Sequence, residues 1–105
     1  MEKSKEYVLS KIKETLHQVA PDAKAILFGS RARNEARPDS DWDILILVDK
    51  PKLDTDDFDR ISYPLYELGW KINEMISPIL YTFKEWEKRS FTIFHKNVEE
   101  EGVVI

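Results

Sequence analysis

Val8, Ile12, Leu16 and Val19 recur at spacings of four, four and three residues, one stripe of an amphipathic helix. Pro21 ends it, and Pro21-Asp22 reads as a turn. Residues 23–28 form a short apolar run that stops at Gly29, the pattern of a buried strand. Residues 30–40 are polar and read as a loop, with a helical turn over 30–36. Residues 41–48, DWDILILV, predict a second strand. Asp41, Asp43, Leu45 and Leu47 would share one face, and Trp42, Ile44, Ile46 and Val48 the other. Both faces turn apolar after Asp43, as expected of a central strand covered on both sides. Asp54 is a candidate N-cap for a helix carrying Phe58, Ile61, Leu65 and Leu68, with Gly69 as its C-cap and Pro64 inside it. A third strand is expected over 70–81, with Pro78 marking an edge or a bulge. Thr82 and Glu85 fit a capping box for a short helix to about Lys88. A last helix over 90–101 ends at Gly102, and the tail 103–105 adds a little strand or packs.

This order predicts an α/β (α+β) fold, a small mixed sheet with helices packed on it. At 105 residues the chain is expected to be one domain spanning 1–105, with no room to enclose a large substrate. Hydrophobic residues at 42% exclude a disordered chain, and 34% charged residues give a well-solvated surface. The net charge of −4 argues against a purely electrostatic nucleic-acid binder, so no direct nucleic-acid contact is expected. The absence of cysteine excludes disulfides, zinc–thiolate sites and thiol catalysis. The N-terminal segment lacks the apolar core of a leader, and no apolar run approaches the ~20 residues of a membrane span. The expectation is a cytoplasmic protein without a membrane partner.

Candidate chemistry concentrates between Gly29 and Leu47. Asp41 and Asp43 stand at i and i+2, which puts two carboxylates on one strand face about 6.5–7 Å apart. Aspartate is depleted in strands, and a divalent cation such as magnesium is a natural counterweight; the plain alternative is the wet end of a strand. Gly29-Ser30 follows a strand and precedes a helical turn. It could admit a phosphate to the backbone and offer a hydroxyl, or be an ordinary turn. Arg31, Arg33 and Arg37 could grip phosphate, or could simply balance Glu35, Asp39 and Asp41 on a solvated loop. Neither a P-loop nor a dinucleotide fingerprint is present. His17 and His95 read as surface or helix-end residues, and Trp42, Trp70 and Trp86 as core or interface rather than base-stacking platforms.

Gly29-Ser30 after a strand, Ala32-Arg33, and Ser40-Asp41-Trp42-Asp43 opening the next strand together resemble the nucleotidyltransferase superfamily that includes DNA polymerase beta. The likeness is to its minimal nucleotidyltransferases, among them antitoxins. The resemblance implies a polymerase beta palm-like fold and a magnesium- or manganese-dependent transfer of a nucleoside monophosphate, AMP from ATP, to a hydroxyl. It assigns Gly29, Ser30 and Arg33 to the nucleotide, with Ser40 supporting the turn. Asp41 and Asp43 become the catalytic metal ligands. Asn34 stands where the family often has Gly, and Asn tolerates the left-handed conformation. The family's third carboxylate lies on a later strand, where either Glu74 or Ser77 is the counterpart; Glu74 is the only acid of that stretch. The resemblance also implies a helical partner of the HEPN type, neutralised as a toxin. A second copy of the chain is a further candidate partner, on which the sequence carries no signal. A catalytically silent module that neutralises such a partner by contact is the alternative. Transfer to a small molecule is a third reading, which the missing acceptor domain disfavours.

Overall fold

The computed structural model describes residues 4–105. Helix α1 (Lys5–Val19) starts where the Ser4 hydroxyl accepts from the Tyr7 amide and buries the stripe of Val8, Ile12 and Leu16. Strands β1 (Lys24–Phe28) and β2 (Trp42–Val48) pair antiparallel, with Phe28 opposite Asp43. β3 (Ile76–Thr82) runs parallel to β2, with Asp43 opposite Ser77 and Ile44 opposite Pro78. The tail forms β4 (Val103–Val104) against β1, so the sheet order is β3-β2-β1-β4. β3 is an edge, which is where Pro78 costs no ladder bond.

The two faces of β2 divide as the alternation predicts. Trp42, Ile44, Ile46 and Val48 join the core that holds α1 and the Tyr63–Ile72 helix. Leu45 and Leu47 join a second core with Trp86 of the Phe83–Lys88 helix and Val98 of the Ile93–Glu101 helix. Burying one such aliphatic side chain contributes about 1.5–3 kcal/mol.

The helix after β2 departs from expectation in two ways. α2 (Thr55–Asp57) passes into a π turn (Phe58–Ser62) before α3 (Tyr63–Ile72) begins; α4 (Phe83–Lys88) and α5 (Ile93–Glu101) follow β3. The Tyr63 amide reaches back five residues to Phe58, and Pro64 follows at once. A proline lacks the amide that an α-turn needs at that point, and the wider turn seats its ring without breaking the rod. The rod also runs past Gly69. Its cap is Asn73, at φ 58°, with the Asn73 and Glu74 amides both donating to Gly69 O. Gly69 serves a close approach instead: a Cβ there would collide with the Glu74 carbonyl. Residues 70–72 are therefore helical and the third strand opens at Ile76. The last helix likewise opens later than expected, capped by the Thr92 hydroxyl.

Asp57, 1% exposed, clasps this connection. It accepts from Lys50 Nζ at 2.8 and 2.9 Å, Arg60 Nη2 at 2.8 Å and the Asp54 amide at 2.9 Å. The Lys50 ammonium leads in holding its carboxyl well below the usual carboxylate range. A carboxyl so depressed contributes stability that is complete above its unfolded pKa and is lost as pH falls through the folded one. Asp57→Asn is expected to cost about 2 kcal/mol in urea unfolding at pH 7, with the difference from the parent shrinking in strong acid.

Candidate active site

The site is built on the connection between β1 and β2. Gly29 leaves β1 at φ 75°. Its carbonyl accepts from the Ala32 and Arg33 amides at 3.1 and 3.2 Å, and Ser30 O accepts from the Glu35 amide at 3.0 Å. These bonds wind one helical turn, and Asn34 leaves it at φ 58°. The asparagine thus adopts the left-handed conformation that a glycine would otherwise supply. Its side chain accepts from Lys5 Nζ at 3.0 Å.

Asp43 lies over this turn. A Cβ at Gly29 would overlap Asp43 Oδ2, so only glycine leaves room for the carboxylate. Gly29→Ala is expected to cost about 1–2 kcal/mol from the left-handed φ alone. It also displaces Asp43, so a loss of nucleotide affinity larger than the stability loss is expected when calorimetry and thermal melts are run side by side. The Asp43 carboxyl is pushed above the usual carboxylate range, first by burial and then by the charge of Asp41, with Arg33 opposing. Asp41 is exposed, and its Oδ2 accepts from Ser77 Oγ at 3.1 Å.

The remaining predicted residues are placed as follows. Ser30 is half-buried at the head of the turn. Arg33 pairs on the surface with Glu35 and with Glu101 of α5, both at 3.2 Å. Ser40 closes the loop: its hydroxyl accepts from the Arg37 amide at 2.9 Å. Glu74 is not on a strand. It stands in the turn between α3 and β3, where its Oε2 accepts from the indole Nε1 of buried Trp42 at 3.2 Å. The fold thus brings Gly29, Ser30, Asp41, Asp43 and Ser77 together and places Glu74 beside Trp42. A cavity of about 450 Å³ between residues 38–40 and the α3–β3 turn is lined by Tyr66, Trp70, Glu74 and Met75 but by neither Asp41 nor Asp43.

Two features leave no trace in the sequence pattern. Arg31 is taken up by its own loop; its guanidinium lies 4.3 Å from the Trp42 ring centre and donates to Ser40 O at 2.9 Å and Pro38 O at 3.3 Å. Glu101 reaches Arg33 from 68 residues away, a contact with no local signal.

Comparison with known proteins shows the family. The nucleotidyltransferase domain family matches residues 9–104, and the chain belongs to that family. A relative from Methanocaldococcus jannaschii, named "Putative protein adenylyltransferase MJ0604", is 38% identical over 82 residues, covering 78% of this chain and 76% of its own. The fold is shared with a chain of a crystal structure of a toxin–antitoxin with AMP-PNP, at TM-score 0.65 and 21% identity over 90% of this chain and 69% of the other. It is shared as well with a chain of a mutant toxin–antitoxin MntA–HpeT crystal structure, at TM-score 0.60 and 20% identity over 92% and 69%.

Proposed function

We propose that this nucleotidyltransferase moves AMP from ATP to a hydroxyl of a partner protein, in a reaction that depends on magnesium or manganese. The observation that carries the reading is the Asp43 carboxylate seated over Gly29, with Asp41 beside it just ahead of the first residue of β2. An acid pair at the lip of an anion-binding turn is what a cation and a triphosphate require together.

The donor set fits a hard cation, since both ligands are carboxylates and phosphate oxygens complete the shell. When bound, the ion supplies Lewis-acid polarisation of the phosphoryl oxygens. The chain's own residues do the rest. Asp41 and Asp43 hold the cation, and the Ser77 hydroxyl fixes the rotamer of Asp41 by donating to it. Ser30 and the backbone at Gly29 orient the triphosphate. Arg33 exchanges its surface carboxylates for phosphate oxygens. Ser40 contributes by holding the loop that delivers Asp41. Phosphoryl transfer needs little beyond positioning and charge stabilisation, which a domain of this size can supply.

One relative bears the name of a putative protein adenylyltransferase and the fold neighbours come from toxin–antitoxin structures, which supports a toxin protein as acceptor. On this reading the toxin is of the HEPN type and the chain acts as its antitoxin in the cytoplasm. One observation favours a second reading. Among the described residues no group of three or more acidic, histidine or cysteine side chains is arranged so that it could hold a metal ion, and a serine occupies the β3 position facing the acid pair. Serine cannot take the acceptor's proton as a carboxylate would. On that reading the chain binds MgATP and its partner and transfers slowly or not at all.

The deciding experiment incubates the chain with labelled ATP, magnesium and the protein encoded beside it, followed by mass spectrometry of both chains. AMP on the partner establishes the first reading. A tight, unmodified complex in the presence of bound ATP establishes the second, and absence of ATP binding defeats both.

A further inference from the structure

We propose that Glu74 is a positioning residue, which holds the Asp41–Asp43 pair from the opposite face of the sheet through the Trp42 indole and is not the base of the reaction. The inference rests on the functional reading above and deepens it.

Trp42 is the residue between the two aspartates, and neighbouring strand residues point to opposite faces. Whatever fixes the Trp42 side chain therefore fixes the strand start from which Asp41 and Asp43 project. Two separate segments, the α3–β3 turn and the loop after β1, make three contacts with it. The Trp42 amide donates to Met75 O at 2.8 Å, which begins the pairing with β3. Its indole N–H, in a side chain only 1% exposed, donates to Glu74 at 3.2 Å. Its ring carries the Arg31 guanidinium, whose Nη2 holds the carbonyls of Pro38 and Ser40. Arg31 Nε is buried with no hydrogen-bond partner among the described residues. The stack and the two carbonyl bonds together tie the Trp42 ring to the loop that leads into Asp41.

Glu74 is the only side-chain acceptor the structure gives the indole among the described residues. Without it a buried donor is left unpaired, and the ring shifts toward water. A shifted ring moves Arg31, and through it the loop carbonyl immediately before Asp41. Glu74 thus acts on the acid pair without touching it. Ser77, not Glu74, lies on the face of Asp41.

The test uses a double-mutant cycle. Glutamine keeps an acceptor oxygen for the indole, so Glu74→Gln should retain MgATP affinity and transfer within about threefold. Glu74→Ala should lose roughly tenfold in MgATP affinity and reduce the near-ultraviolet circular dichroism of the indoles. In a Trp42→Phe background, which keeps a ring for Arg31 but has no N–H, Glu74→Ala should cost nothing further. Overturning results are a Glu74→Gln variant as damaged as the alanine, an alanine variant without effect, or full additivity with Trp42→Phe. Wild-type protein that binds no MgATP would defeat the functional reading, while the circular dichroism of the two Glu74 variants would still decide the link between Glu74 and Trp42.

Discussion

Asp41→Asn combined with Asp43→Asn is expected to lower magnesium-linked ATP affinity by a hundredfold or more, about 2.7 kcal/mol, in a protein that melts no earlier than the parent. Both halves follow from the same charges. Asp43 is half-buried beside Asp41, and burial followed by that like charge pushes its carboxyl upward. A carboxyl whose folded pKa is raised opposes folding at neutral pH, and the opposition fades as pH falls through the folded value. Amides remove it at every pH. The cation needs both carboxylates ionised, so metal-linked affinity in the parent should begin to fall at a higher pH than ordinary carboxylates would give. Titration calorimetry across pH, with melting curves of both proteins, checks each part. Unchanged MgATP affinity in the double variant would sink the metal site.

Ser77→Asp is expected to have the largest effect in the other direction. Ser77 pairs opposite Asp43 in the parallel register, and its hydroxyl is 3.1 Å from Asp41 Oδ2. A carboxylate at this position adds a third acid to the site. Manganese affinity should rise by roughly tenfold, about 1.4 kcal/mol, and AMP transfer should speed up by a similar factor. Without metal, three like charges at one strand end should lower the melting temperature, and added manganese should restore it. A variant with parental metal affinity and rate would show that Ser77 does not occupy the acid position.

The strand pair and its faces were legible because β2 alternates cleanly: Asp41 and Asp43 precede a run apolar on both sides, and two cores form where the pattern puts them. The turn at Gly29 was legible for a local reason, since the chain must admit a carboxylate and take a positive φ at one residue. The boundary near Gly69 was not. Glycine near the end of a helical pattern reads as a cap, but here it makes room for the returning backbone while Asn73 takes the left-handed position. That misplaced the strand start, at Ile76 rather than residue 70, and put Glu74 on a sheet face it does not have. The choice between Glu74 and Ser77 depended on this boundary, so alternation counted from residue 70 could not resolve it. Arg31 was illegible for a different reason. Its partner is an aromatic face, and a stack between a cation and a ring leaves no pattern of complementary charge in the chain.

The turn at Gly29 and the loop that follows are closed largely by bonds made within residues 29–42: Gly29 to Ala32 and Arg33, Ser30 to Glu35, Arg37 to Ser40, and Arg31 to the loop carbonyls and the Trp42 ring. Such a segment can open and reclose while the apolar layers beneath it stay assembled. Its ordering is then a separate equilibrium from folding. A nucleotide that bridges the turn and the acid pair draws on that equilibrium, and its apparent affinity is scaled by the fraction of molecules already closed. Substitutions in the core away from Trp42 can therefore lower the melting point while leaving occupancy untouched, whereas a change in this one connection can cost far more occupancy than stability.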